Sequence, residues 1–185
     1  LLDDAQWSAR SPAERIAPLH ALIERAAKIE IDAPVAQPTL AVMRTVREAL
    51  ATTLTQEVGK PITQSRNELN GLLPRLDFFL AEATRALADE DVFDDGAMRE
   101  RIAHVPLGLV ANISAWNYPW FVSCNVVVPA LLAGNAVLYK PSEFATLTGQ
   151  HLVRLLHEAG VPRDVLALVV GAGAAGAALL EQPID

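Results

Sequence analysis

Cysteine occurs once in the 185 residues, at Cys124, and methionine only twice. A lone thiol cannot close an internal disulfide, which excludes the small secreted scaffold held by crossbridges and points to a reducing, cytoplasmic compartment. Basic residues are also in short supply: 15 Lys and Arg stand against 22 Asp and Glu, for a net charge of −7. Neutralising a phosphate backbone needs a stripe of cations, so no nucleic-acid partner is expected. The four histidines, His20, His104, His151 and His157, form no metal-ligand or Ser/His/Asp grouping. They read as surface or helix residues, and no metal is expected. The chain opens Leu1-Leu2-Asp3-Asp4, with no basic segment leading into an apolar one, so no signal peptide is visible and both ends read as cuts through a longer chain. What is plentiful is apolar surface. A hydrophobic fraction of 51% is ample for a core and argues against wholesale disorder.

The charge is unevenly placed, −6 over residues 1–100 and −1 over 101–185. In the first part, residues 12–29 and 38–58 carry apolar residues three or four apart (Ile16, Leu19, Ile23, then Leu40, Met43, Val46, Leu50, Leu54), the spacing of amphipathic helices, with Pro34 and Pro38 breaking the chain between them. A turn at Gly59-Lys60-Pro61 leads to a third helix of about two dozen residues, its apolar side made from Leu69, Leu72, Leu76, Phe79, Leu80 and Leu87, which Pro74 should bend. An acidic stretch at Asp89–Asp95 reads as flexible. After it the pattern changes to short β-rich runs at Arg101–Val105 and Leu107–Ile113, a helix from about Asn117 to Ala133 stopped by Gly134, and a strand Ala136–Tyr139. A helix from about Leu147 to Ala159, a strand Val165–Val170 and an Ala-rich helix from about Ala174 complete the alternation. The fold class is therefore α/β: a helical N-terminal layer, then a Rossmann-like parallel sheet with helices on both faces.

From Val105 to Tyr139 the chain has no charge, and 35 such residues must be tested against a bilayer. Ser123, Asn125, Pro129 and Asn135 within that run are costly in hydrocarbon, and no Lys/Arg cluster flanks it, so no membrane span is expected. Strands covered on both faces explain the run without lipid. What a core does not explain is the position of the polar residues. Ligands of open α/β sheets bind beyond the carboxyl ends of the strands, where this sequence has Ser114–Asn117, then Lys140–Glu143, then Gly171-Ala172-Gly173.

The stretches "NISAWNYPW", "PALLAGNAVLYKPSE", "LHEAGVP" and "GAGAAGAAL", in this order, with "EVGKPI" and "NELNG" upstream, closely resemble the NAD(P)-dependent aldehyde dehydrogenase superfamily over roughly residues 5–185. The resemblance implies the N-terminal part of a cofactor-binding domain, with residues 1–100 as its helical part and 101–185 as a first βαβαβ portion. The catalytic domain, the nucleophilic cysteine and the activating carboxylate would lie in later segments. It implies that Asn117 is catalytic, its amide holding the substrate carbonyl oxygen as negative charge develops. Read from residues alone, Asn117 has a second use as the cap of the helix entered through Pro119. The resemblance further implies that Lys140 and Glu143 bind an adenosine ribose, for which the alternative is a local ion pair. By position, backbone groups at Ile113, Ser114 and Trp116 face the cofactor, and Trp116 is otherwise a large core residue. Gly173 is the contact expected from the glycine turn; the Gly171-to-Gly176 series looks like a dinucleotide fingerprint, but its acidic partner would fall beyond Asp185. Trp120 and Phe121 are placed at the mouth of a substrate tunnel. Cys124, on an apolar helix with no cation nearby, should be an inert thiol.

The expected activity of the intact protein is oxidation of a small-molecule aldehyde to a carboxylic acid with NAD, NADP being possible, in a homo-oligomer. Glu143 should disfavour a 2′-phosphate and so NADP. Two other readings stay open: a non-catalytic nucleotide-binding or interaction module derived from that family, and a conventional Rossmann dehydrogenase using the 171–176 glycines.

Overall fold

A computed structural model describes residues 36–185. The helix expected over 12–29 lies outside the described residues. Two helices, α1 (Ala36–Val58) and α2 (Ile62–Ala86), form a hairpin. Pro38, expected to break the chain, sits in the first turn of α1, where a missing N–H has no intrahelical partner to lose. Gly59 turns the corner at φ +74°, a conformation that favours glycine, and its N–H closes on Thr55 O at 3.0 Å. Met43, Leu50, Ala51 and Leu54 of α1 bury against Leu69, Leu72, Leu73 and Leu76 of α2. Each fully buried leucine contributes about 1.5–3 kcal/mol. Thr55 and Ser65 exchange a hydroxyl hydrogen bond of 2.9 Å where the two helices approach. The helix α2 continues through Pro74.

The acidic stretch expected to be flexible is a strand. β1 (Glu90–Asp94) pairs antiparallel with β2 (Arg99–Ile102), the turn between them held by Asp95, whose side chain accepts the N–H groups of Ala97 at 3.0 Å and Met98 at 2.8 Å. Arg99 and Arg101 reach across to Asp91 and hold its carboxyl below the usual range, chiefly through their hydrogen bonds. The negative charge that suggested disorder is answered by cations eight and ten residues later.

Beyond the hairpin come β3 (Leu109–Ile113), α3 (Pro119–Leu132), β4 (Ala136–Lys140), a 3₁₀ turn (Glu143–Ala145), α4 (Thr146–Glu158), β5 (Leu166–Leu168) and α5 (Gly173–Leu180). The three strands form one parallel sheet in the order β3-β4-β5, with Ile113 level with Lys140 and Tyr139 level with Leu168. All five residues of β4 are buried, which is why the sequence leading up to Lys140 carries no charge. Its side chains alternate. Val137 and Tyr139 join Trp120, Cys124, Val127, Leu152 and Leu156 on the face covered by α3 and α4, while Ala136 and Leu138 meet Leu109 and Leu179 on the other face, under α5. The α/β class and the covering of both faces are as expected. Among the described residues, no helix is long and apolar enough to cross a membrane.

Candidate active site at the carboxyl ends of the strands

The parallel ladder extends one residue past its strands, because Ser114 N–H donates to Lys140 O at 2.9 Å. This bond ties the exit of β3 to the exit of β4. Below it lies a chain of buried polar groups. Ser123 Oγ donates to Ser114 Oγ at 2.9 Å and stands 2.7 Å from Tyr139 Oη; Ser114 Oγ donates to Asn112 Oδ1 at 3.1 Å. Ser114 thus turns its hydroxyl into the core and uses its N–H in the sheet. Ile113 and Trp116, by contrast, are 44% and 51% exposed, so Trp116 is no core residue. The third exit joins them at Gly176, where an added Cβ would stand 3.6 Å from Lys140 Cδ and 3.9 Å from Ile113 Cδ1.

Asn117 is exposed in the turn between β3 and α3. Its Oδ1 accepts the Tyr118 N–H at 3.1 Å and its backbone carbonyl accepts Lys60 Nζ at 2.6 Å. It does not cap α3. That role falls to Glu68 of α2, whose Oε1 accepts the N–H groups of Trp120 at 2.8 Å and Phe121 at 3.2 Å. A carboxylate satisfies two of the orphan donors at that helix start and lies at the positive end of its dipole. The Asn117 amide NH₂ is left with no acceptor among the described residues. Trp120, placed at a tunnel mouth by its position in the sequence, is instead 1% exposed within the core; Phe121 is half-buried.

Lys140 is buried, and its Nζ donates to Pro141 O at 3.0 Å. An ammonium has three N–H groups, so two remain for a ligand. Glu143 opens the 3₁₀ turn in an exposed position, accepting the Ser142 hydroxyl at 3.4 Å. Pro141 between them is pressed by α4: a Cβ on Gly149 would lie 2.6 Å from Pro141 Cγ. Gly173 starts α5 and has nothing within 4 Å of where a Cβ would stand. A buried amine with spare donors, an exposed carboxylate and an open glycine at a helix start together fit a dinucleotide lying along this edge of the sheet.

Cys124 is fully buried, and desolvation pushes its thiol well above the ordinary range, the charge of Glu68 adding to the effect. It is an inert core thiol, as expected. We predict that peptide mapping after treatment of the native protein with a thiol reagent finds Cys124 unmodified, and finds it modified once the chain is denatured; labelling of the native form would contradict this burial.

The residues that sequence reasoning missed are Lys60, Glu68, Glu57 and Gly149. Glu57 of α1 repeats the role of Glu68, accepting the N–H groups of Leu147 and, at 2.8 Å, of Thr148 at the start of α4. Lys60, Glu57 and Glu68 stand inside the quoted stretches "EVGKPI" and "NELNG", but the backbone groups they hold lie about 50 to 90 positions further along.

Comparison with known proteins decides the family. The model of the aldehyde dehydrogenase family matches residues 6–184. The chain belongs to that family. Among curated aldehyde dehydrogenase relatives, the N-succinylglutamate 5-semialdehyde dehydrogenase of Sphingopyxis alaskensis is 36% identical over 136 residues, covering 74% of this chain and 28% of that protein. Among solved structures, an NAD-dependent aldehyde dehydrogenase from Sinorhizobium meliloti superposes with a TM-score of 0.82 at 28% identity, over 94% of this chain and 36% of the other. An NADP-dependent enzyme of E. coli gives 0.83 at 27%, over 93% and 37%. The chain therefore spans about a third of the length of the aldehyde dehydrogenases it matches.

Proposed function

We propose that the intact protein oxidises an aldehyde to a carboxylic acid with NAD, and that these residues form the N-terminal part of its cofactor-binding domain, 1–100 leading into 101–185 as the first βαβαβ portion. The observation that carries this reading is the Asn117 amide: exposed at the exit of β3, released from helix capping by Glu68, and on the same sheet edge as Lys140 and Gly173. An amide NH₂ fixed in that position can hold a carbonyl oxygen as it gains negative charge when a nucleophile attacks the carbon. Bound NAD supplies the hydride acceptor. Lys140 and Glu143 hold the ribose hydroxyls, the exposed faces of Ile113 and Trp116 flank the cofactor together with the Ser114 carbonyl, and Gly173 lets it approach the start of α5. The nucleophile is a cysteine other than Cys124, and it and the carboxylate that activates water belong to segments outside this chain. A cytoplasmic location and a homo-oligomeric state complete the proposal.

The test is a steady-state assay of the full-length protein over an aldehyde panel that includes N-succinylglutamate 5-semialdehyde, with NAD and NADP compared. Reduced nicotinamide should accumulate, kcat/KM should be higher with NAD, and Glu143→Gln should narrow the difference by removing the charge that opposes a 2′-phosphate. No turnover with any aldehyde would support a non-catalytic module instead; equal use of both cofactors would overturn the part assigned to Glu143.

A further inference from the structure

Away from the strand exits stands the ion pair Lys60 and Glu68, with an Nζ to Oε2 distance of 2.6 Å and side-chain exposures of 11% and 0%. A desolvated pair needs every donor and acceptor satisfied, and this one is satisfied almost entirely by the Asn117–Phe121 turn. Glu68 takes two N–H groups of α3, while Lys60 donates to the Asn117 carbonyl at 2.6 Å and lies 4.2 Å from the centre of the Tyr118 ring.

One peptide group receives both ends of this arrangement. The peptide between Asn117 and Tyr118 gives its carbonyl to Lys60 and its N–H to Oδ1 of the Asn117 side chain. Lys60 therefore sets the plane of that peptide, the plane sets where the N–H points, and the N–H sets the orientation of the side-chain amide. The opposite edge of the amide, its NH₂, is the edge that would meet the substrate oxygen. The geometry points to Lys60 and Glu68 as positioning residues for the reaction: they aim the Asn117 amide without touching substrate. This rests on the reading of Asn117 given under the proposed function.

The experiment uses the full-length enzyme. Lys60→Met alone would strand a buried carboxylate, so the working variant is Lys60→Met with Glu68→Gln, which removes both charges while the glutamine oxygen still accepts the α3 N–H groups. Its expected effect is a kcat lower by about 10- to 100-fold, the range for a displaced reacting geometry, with the KM for NAD unchanged. Combined with Asn117→Ala, the same pair of changes should cost no further kcat, because the amide it aims is gone. Lys60→Arg, which keeps the charge beside Glu68 but alters the head group, should lower kcat by itself, and it serves if the neutral pair does not fold. Undiminished kcat in the neutral pair or in Lys60→Arg, or losses that multiply with that of Asn117→Ala, would overturn the positioning role while leaving a large Asn117→Ala effect, and so the proposed function, intact. If Asn117→Ala alone keeps full kcat, the reading of Asn117 falls, and the positioning role with it.

Discussion

Asn117→Ala in the full-length enzyme is expected to lower kcat by about 10²- to 10³-fold, the loss typical of removing one donor from an oxyanion site. Three features make the substitution informative. Asn117 is exposed, so its removal leaves no cavity; the start of α3 keeps its cap, because Glu68 and not Asn117 supplies it; and Lys60 bonds the backbone carbonyl, which alanine retains. The melting temperature should therefore stay near that of the parent while turnover collapses. Asn117→Asp sharpens the test. It keeps an oxygen for the Tyr118 N–H but removes the NH₂ and sets a negative charge where negative charge develops, so its kcat should be no higher than that of the alanine variant. Steady-state kinetics with circular dichroism decide the matter, and a normal rate in either variant would remove Asn117 from the chemistry.

A second large effect is expected at Gly149, which no sequence pattern singles out. An added Cβ would stand 2.6 and 2.7 Å from Pro141 Cγ and Cβ and 3.3 Å from Tyr139 Cε1, and a proline ring joined to a buried strand cannot swing aside. Gly149→Ala should cost about 1–3 kcal/mol as overpacking, measured by denaturant titration. The displaced Pro141 lies between Lys140 and Glu143, so the KM for NAD should rise as well. Gly71→Ala is the matched control. It is also helical, its Cβ would meet nothing within 4 Å, and it should stabilise by roughly 0.5–1 kcal/mol through helix propensity alone. Equal behaviour of the two variants would show that contact with Pro141 carries no weight.

The contrast between these positions shows what the sequence makes legible. Period and punctuation located α2, α3, β4 and α4 within a few residues, because apolar spacing, Gly134 and Gly160 are local signals and local geometry follows from them. The carboxyl ends of the strands were legible for the same reason: Ser114–Asn117 follows β3, Pro141–Glu143 follows β4 and Gly171–Gly173 follows β5. The sequence could not show how polar groups are shared across distance. Asn117 looked like a cap because Asn followed by Tyr-Pro is a good helix start, yet a glutamate 49 positions earlier occupies the N–H groups. Trp120 looked like a tunnel wall because it follows the asparagine, yet the turn of α3 sends it inward against α2. The strand β1 was hidden by its own acidity, since the arginines that answer it lie on the returning strand.

Glu57 and Glu68 of the helical hairpin carry a mechanical consequence. Glu57 holds the first turn of α4 and Glu68 the first turn of α3, so the two helices covering one face of the sheet are each seated on a carboxylate rooted in the other half of the chain. The compositional border near residue 100 is therefore no seam along which the molecule can be parted: pulling the hairpin away would bare two helix origins together and take both carboxylates from the N–H groups they hold. Loosening of the hairpin would then be felt at two strand exits at once.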